Sequence, residues 1–157
     1  MSTWLEAWDG AEERIFGYLL GLTSCDRDVN AFLGELPKDF VYSAEGFWMF
    51  AMGGGGAPLD YEINMNTPGG CGERQMNATF EGIYNDRTTA KRIAGILMEN
   101  FPIAESTLTG VSRMKPSEEP TVARDVILRR ADQAQGGEMR IWRVSQPFEI
   151  IYTKTEA

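Results

Sequence analysis

Histidine and cysteine, which many enzymes use for acid–base and nucleophilic chemistry, are absent or rare in this chain. It contains no histidine, and its two cysteines, Cys25 and Cys71, lie 46 positions apart. The absence of histidine excludes Ser-His-Asp and Cys-His nucleophiles, histidine general bases and histidine-ligated metals. The cysteine spacing fits neither a metal-ligand pair nor a CxxC redox pair. A disulfide is allowed but not implied, and two free thiols are the more ordinary state.

Two glycine-rich segments, Gly53–Gly56 and Thr67–Arg74, could gather backbone amides around a phosphate. Neither continues into Lys-Ser/Thr, and the GxxxxGK[ST] and GxGxxG patterns are absent. Cys71 lies in the second segment near Arg74, whose positive charge would favour a thiolate. Without histidine, a carboxylate or a lysine would have to act as its base. Flexible surface loops are therefore the simpler interpretation of both segments.

Carboxylates occur in close pairs, which in some proteins perform acid–base chemistry or bind metals. The pairs are Glu12/Glu13, Asp26/Asp28, Asp60/Glu62 and Glu118/Glu119. Asp60 and Glu62 alternate with apolar residues along a predicted strand, so a solvated outer face explains them more simply. We therefore predict a protein that is not an enzyme, and assign no catalytic, cofactor-binding or metal-binding residues.

The aromatic residues offer contact chemistry instead. A strand cannot direct the four consecutive large residues Phe47, Trp48, Met49 and Phe50 to one face. Either some of them form an exposed patch that binds another protein, or the strand is central and buried on both faces. With Trp142 and Arg74, these four residues are our candidate interaction residues.

Composition sets wider limits on the function. The chain has 157 residues, 43% of them apolar and 24% charged, which suits one globular domain spanning 1–157. Fifteen Lys and Arg against 23 Asp and Glu give a net charge of −8, which disfavours broad binding to nucleic-acid phosphates. We expect no specific nucleic-acid binding. The N-terminus resembles no secretory signal, and no apolar run approaches a membrane span, so we expect no membrane association.

The hydrophobic periodicity predicts two amphipathic helices, Thr3 to about Leu22 and about Arg87 to Asn100, the second capped by Asn85-Asp86 and ended by Pro102. It also predicts several short strands. One of them, Val122–Leu128, either points Arg124 inward or has two faces of mixed polarity. The last strand is long or bent and broken at Pro147, which belongs at an edge or a bulge. The predicted strands are Phe40–Tyr42, Phe47–Met52, Leu59–Met65, Met76–Tyr84, Thr107–Met114, Val122–Leu128 and Met139–Thr153.

The order of these elements predicts the fold class. Alternating faces indicate antiparallel strands with one solvated side. We expect an α+β fold, with a mostly antiparallel, mixed sheet of four to six strands and two amphipathic helices packed on one face. Glycine-rich loops near 53–57 and 67–74 and a polar loop near 131–137 connect the elements.

From about Trp4 to Tyr152, the chain resembles the tail-terminator and minor tail proteins of long-tailed bacteriophages. The resemblance consists of the element order and of three strings, FEGIYNDRTTAKRIAGILMENFP, TLTGVSRMKPSEEP and the closing MRIWRVSQPFEIIYT. It implies a structural virion protein, assembled in the host cytoplasm and located at the head–tail junction. Such proteins form a hexameric ring that caps the tail tube and joins it to a head connector or neck protein, and DNA passes through the lumen.

Two other functions stay open. A small-ligand-binding or enzymatic α+β domain would have an apolar pocket containing perturbed titratable groups. An acidic interaction module of the immunity type would bind a partner protein through its surface.

Overall fold

The computed structural model describes residues 3–40, 46–53, 72–104, 106–128 and 138–154, and these residues have the α+β class expected from the sequence. Two helices and seven strands are present in the described ranges. In chain order they are α1 (Trp4–Thr23), β1 (Ala31–Leu33), β2 (Phe47–Met52), β3 (Glu73–Tyr84), α2 (Arg87–Asn100), β4 (Ile103–Ala104), β5 (Val111–Pro116), β6 (Thr121–Leu128) and β7 (Glu138–Thr153).

Both predicted helices are confirmed, and each begins at a side-chain cap. The Thr3 hydroxyl accepts a hydrogen bond from the Glu6 amide at 3.1 Å, and Asp86 Oδ1 accepts one from the Thr89 amide at 2.7 Å. Helix α1 ends at Ser24, whose left-handed backbone (φ 56°) lets its own amide bond back to the Leu20 carbonyl.

The seven strands form one mixed sheet in the order β1-β2-β3-β7-β5-β4, with β6 also pairing with β7. All described pairings are antiparallel except that of β1 with β2. The count exceeds the expected four to six because β1 and β4 have only three and two residues. Strands of that length are too short to show a recognisable alternation of apolar and polar residues.

Both helices pack against one face of the sheet. Their buried residues belong to a single core cluster that also contains alternate residues of the long strands, such as Trp48, Phe80 and Phe148. On the opposite face, a smaller cluster of Phe32, Phe47, Ile83 and Ile141 covers one part of the sheet. Among the described residues, neither helix contributes a buried side chain to this second cluster.

Pro147 lies in the middle of the central strand β7, neither on a sheet edge nor splitting the strand. On one side of β7, residues up to Ser145 pair with β6, and residues from Phe148 onward pair with β5. Pro147 sits opposite this interruption, and its carbonyl accepts a hydrogen bond from the Ser117 amide at 3.1 Å. Because no ladder partner is required there, the missing N–H of proline costs no sheet hydrogen bond.

Several predicted strand bounds need correction. Phe40 belongs to no strand, and 41–42 and the predicted strand Leu59–Met65 lie outside the described residues, as do Cys71 and 131–137. Glu73 and Arg74 belong to β3 and not to the preceding loop, since they pair with the end of β7. In the part of the chain that is described, no helix is both long and apolar enough to cross a membrane.

Candidate interaction site

The aromatic segment of β2 lies in the interior of the fold. Trp48 and Phe50 have no exposed surface, Phe47 is 3% exposed, and Met49 is half-buried. Trp48 and Phe50 face the two helices, whereas Phe47 joins the smaller cluster on the opposite face. The exposed-patch alternative is therefore wrong for Phe47, Trp48 and Phe50, and the alternative of a strand covered on both faces is confirmed.

Arg74 and Trp142 also make contacts within the chain. The Arg74 guanidinium lies 4.8 Å from the ring centroid of Trp4, and Lys154 Nζ lies 5.2 Å from the same ring. Arg87 lies 5.9 Å from the ring of Trp142, which is half-buried against the main core. These cation–π contacts join the start of α1 to β3 and the start of α2 to β7. The side chains of Arg74 and Trp142 are half-buried and keep part of their surface exposed, so their contact role stays a prediction.

A small pocket of about 240 Å³ lies where the end of α1 meets the start of α2. Its lining includes Cys25, Asn30, Thr89 and Arg92. Among the described residues, no three Cys, Asp or Glu side chains are grouped so as to hold a metal ion. The ligand-binding alternative would place its cleft under the two glycine-rich segments, most of which lie outside the described residues, so it stays a prediction.

Two side chains one helical turn apart on α1 bind the end of β2. The Trp8 indole N–H donates to the Met52 carbonyl at 2.7 Å, and Glu12 Oε2 accepts from the Met52 amide at 2.8 Å. Burial raises the pKa of Glu12, and Asp9 and Glu13 add to the rise, while the Met52 hydrogen bond opposes it. Met52 lies beyond the end of β1, so these contacts satisfy backbone groups that have no strand partner there.

The sheet face opposite the helices carries a charged network beyond its small apolar cluster. Arg143 Nε donates to Asp125 Oδ2 at 2.8 Å, and Arg143 Nη1 lies 3.5 Å from Glu81 Oε2. The Arg143 hydrogen bond, helped by the Val126 amide, lowers the pKa of Asp125. This network links β3, β7 and β6 in order across the sheet.

Strand β6 is the exposed element that the sequence hypothesis did not identify as a contact site. Arg124 points into solvent, and Val126 is 46% exposed, so an inward Arg124 is wrong and two mixed faces are confirmed. On its outer side no other described strand pairs with β6. A depression of about 360 Å³ lies beside it, lined by Arg124, Asp125, Val126 and Arg140. The sequence signal was the mixed strand itself, because the neighbouring Arg124 and Asp125 place a charge on each face and charged residues are rarely buried in a core.

Neither models of known protein families nor curated protein sequences match this chain.

Proposed function

We propose that this chain is a structural protein of a long-tailed bacteriophage that forms a hexameric ring on the end of the tail tube. The ring stops tube polymerisation and presents a second surface to the head connector or neck protein. The protein acts by fitting against copies of itself and against neighbouring proteins, and it turns over no substrate.

The observation that carries this proposal is the outer edge of β6. This strand has eight residues, and no described strand covers its outer side. An unpaired edge of that length presents a row of backbone donors and acceptors to which another chain can add. Soluble monomers normally shorten or cover such edges, so an open one favours assembly with other chains.

The element order supports the identity of the assembly. Among the described residues, three strands follow α1 and four follow α2, an order that agrees with the resemblance to tail terminators drawn from the sequence. The net charge of −8 suits a ring whose lumen DNA must cross without binding, because like charges repel.

The test is assembly on a tail tube. The tube protein encoded in the same genome is polymerised alone and with the chain, and both samples are compared by electron microscopy and sedimentation. We expect rings at tube ends and shorter tubes in the mixed sample. Tubes that elongate equally in both samples and carry no terminal density would refute the function.

A further inference from the structure

Every second residue of β6 turns its backbone groups away from the sheet. The Pro147 carbonyl of β7 accepts from the Ser117 amide at 3.1 Å, so odd-numbered residues of β7 direct their backbone groups toward β5 and β6. In the observed register these residues face odd-numbered residues of β6. Because backbone direction alternates along an antiparallel strand, the outward-facing residues include Val122, Arg124 and Val126.

One of the outward donors is already occupied, and the two before it are open. The Val126 amide donates to Asp125 Oδ1 at 2.8 Å, which independently agrees with an outward direction. Asp125 Oδ2 accepts from Arg143 Nε at 2.8 Å, so this carboxylate is held from both sides. Among the described residues, no group bonds to the outward backbone groups of Val122 and Arg124. An added strand would bond to these groups.

Three exposed arginines lie beside this edge, on the face of the sheet that carries the helices. The register pairs Arg124 with Trp142 and Val126 with Arg140, so all four side chains share one face. Trp142 packs against the main core, which identifies this as the helix face. From α2, the Arg87 guanidinium lies 5.9 Å from the Trp142 ring. Arg87, Arg124 and Arg140, which we call the arginine patch, are all exposed.

The arginine patch has no carboxylate of its own among the described side chains. None of the three arginines belongs to a described ion pair. The carboxylates adjacent to two of them in the chain have other partners, because Asp125 is bound to Arg143 and Asp86 accepts from the Thr89 amide. Guanidinium groups without such a partner are suited to carboxylates or phosphates supplied by another molecule.

Two carboxylates just before β6 limit the cationic region to the second half of the strand. Glu118 and Glu119 are both exposed. Glu119 lies five positions before Arg124, roughly 17 Å at the rise of an extended chain. That separation is about twice the Debye length at physiological ionic strength, so these carboxylates are largely screened from the arginine patch. Carboxylates of a partner are therefore favoured beside Arg124 and Val126 and disfavoured at the start of the strand.

The open backbone groups decide between two kinds of anionic partner. An extended polypeptide supplies both donors and acceptors to a strand edge, whereas a nucleic-acid phosphate only accepts. The net charge of −8 also repels a highly charged polyanion more strongly than a short acidic segment. Both observations favour a polypeptide.

We propose that an extended, acidic segment of a neighbouring protein adds to the outer edge of β6 and places its carboxylates against the arginine patch. The identity of that neighbour as the tail tube or neck protein rests on the proposed function, whereas binding of the segment to β6 does not. Binding to β6 can therefore be measured without tubes.

The test measures the fluorescence anisotropy of three labelled probes mixed with the purified full chain. The first probe is a peptide as long as β6 that alternates valine with glutamate, and in the second probe lysine replaces glutamate. The third probe is a short DNA duplex. Far-UV circular dichroism establishes that each variant is folded, and sedimentation velocity measures its oligomeric state.

Two pairs of variants separate charge from backbone pairing. Arg124→Glu reverses one charge of the arginine patch, and Arg113→Glu is its matched control, because Arg113 is an exposed residue of β5 outside the patch. Val122→Pro removes an outward N–H that takes no part in the ladder with β7. Val122→Ala is its matched control, because it shortens the same side chain and keeps the N–H.

We expect the parent chain to bind the glutamate peptide more tightly than the lysine peptide or the DNA. Arg124→Glu should raise the dissociation constant of the glutamate peptide roughly tenfold, since an opposite-charge pair across strands becomes a like-charge pair. Val122→Pro should raise it roughly fivefold through the lost hydrogen bond. Both control variants should stay within about twofold of the parent chain.

The acidic segment is refuted if the glutamate peptide does not bind, or binds no more tightly than the lysine peptide. Tighter binding of the DNA would overturn it as well, and would make the arginine patch a nucleic-acid site. Equal effects within either pair of variants would show that β6 is not where the peptide binds as a strand. A dimeric parent chain that becomes monomeric with Val122→Pro would overturn it too, because a second copy would then occupy the edge.

Assembly on tail tubes separates this inference from the function. Rings formed on tubes by a chain that binds no glutamate peptide would refute the acidic segment and leave the function standing. Conversely, peptide binding at β6 by a chain that leaves tubes uncapped would support the acidic segment and refute the function.

Discussion

Replacing Trp48 by alanine separates a core role from a contact role. Its indole has no exposed surface and packs against Phe16 and Phe80, with ring centroids 5.3 and 5.0 Å away. Its N–H donates to Thr23 Oγ1 at 3.1 Å, and that hydroxyl donates onward to the Leu19 carbonyl at 2.8 Å. Truncating a buried tryptophan to alanine costs about 3–5 kcal/mol. Small domains have about 5–15 kcal/mol of total stability, so we expect this variant to be largely destabilised.

A double-mutant cycle isolates the hydrogen bond from the packing. Trp48→Phe removes the N–H, and Thr23→Val removes its acceptor and leaves the indole N–H buried without a partner, at a cost of about 1–3 kcal/mol. Together the two changes should cost less than their sum, because the indole N–H that Thr23→Val leaves without an acceptor is absent from the double variant. Urea unfolding is followed by far-UV circular dichroism, since tryptophan fluorescence changes with the substitution itself.

Met49→Ala is the matched control for packing, because Met49 is the next residue of β2 and is only half-buried. It should cost clearly less than Trp48→Ala. The reasoning fails if Trp48→Ala lowers the free energy of unfolding by less than about 1 kcal/mol, well below the range for a buried aromatic. A stable Trp48→Ala protein that could not assemble would instead restore the contact role that the sequence suggested.

Three further substitutions test other parts of the fold. Leu97→Ala, which truncates a side chain only 1% exposed, should cost about 2–5 kcal/mol in urea unfolding, and a cost near zero would place Leu97 outside the core. The pKa of Glu12 is raised in the fold. Its protonated form therefore contributes stability that is fully present below pH 4.5, the ordinary pKa of a glutamate, and that is lost as the pH rises through the pKa of the folded state. Glu12→Gln should therefore flatten the fall of thermal midpoint with rising pH, and an unchanged slope would contradict this. The Thr89 amide lowers the pKa of Asp86. Its ionised form therefore contributes stability that is present above pH 3.8, the ordinary pKa of an aspartate, and that is lost as the pH falls through the pKa of the folded state. Asp86→Ala should lower the midpoint at neutral pH and remove part of this acid dependence, whereas equal melting of both proteins at neutral pH would exclude a capping role.

The helices could be predicted from the sequence because their determinants are local. The apolar stripe of α2 repeats within its own 14 residues, and its cap, Asp86, is the residue directly before it. The fold class followed for the same reason, since strict alternation along the segment that became β3 already indicates an antiparallel strand with one wet face. None of these inferences depends on which distant residues are in contact.

The candidate site could not be predicted because it depends on contacts between distant segments. The sequence left open whether β2 was exposed or covered on both faces, and what decides this is Phe32 and Phe40, which lie against Phe47 at 6.1 and 4.6 Å. Similarly, the Arg74 guanidinium lies over the ring of Trp4, which is 70 positions earlier in the chain. The pattern of apolar and polar residues along a strand shows how apolar the strand is, but it does not show which other element packs against it.

The interruption opposite Pro147 separates β6 from β5, the strand that β4 pairs with at Arg113 and Met114. Residues 117–120 separate β5 from β6, and the buried Gln146 side chain fills this gap by donating to the carbonyls of Glu118 and Pro147 at 2.7 and 2.8 Å. Because the two strands are offset, β4 pairs with β5 alone, and β6 continues past it without a described partner. A sequence that joined β5 and β6 without this break would require a ladder donor at position 147, which proline cannot supply. The same break that spares Pro147 a ladder hydrogen bond therefore leaves β6 separate from β5 and without a described partner on its outer side.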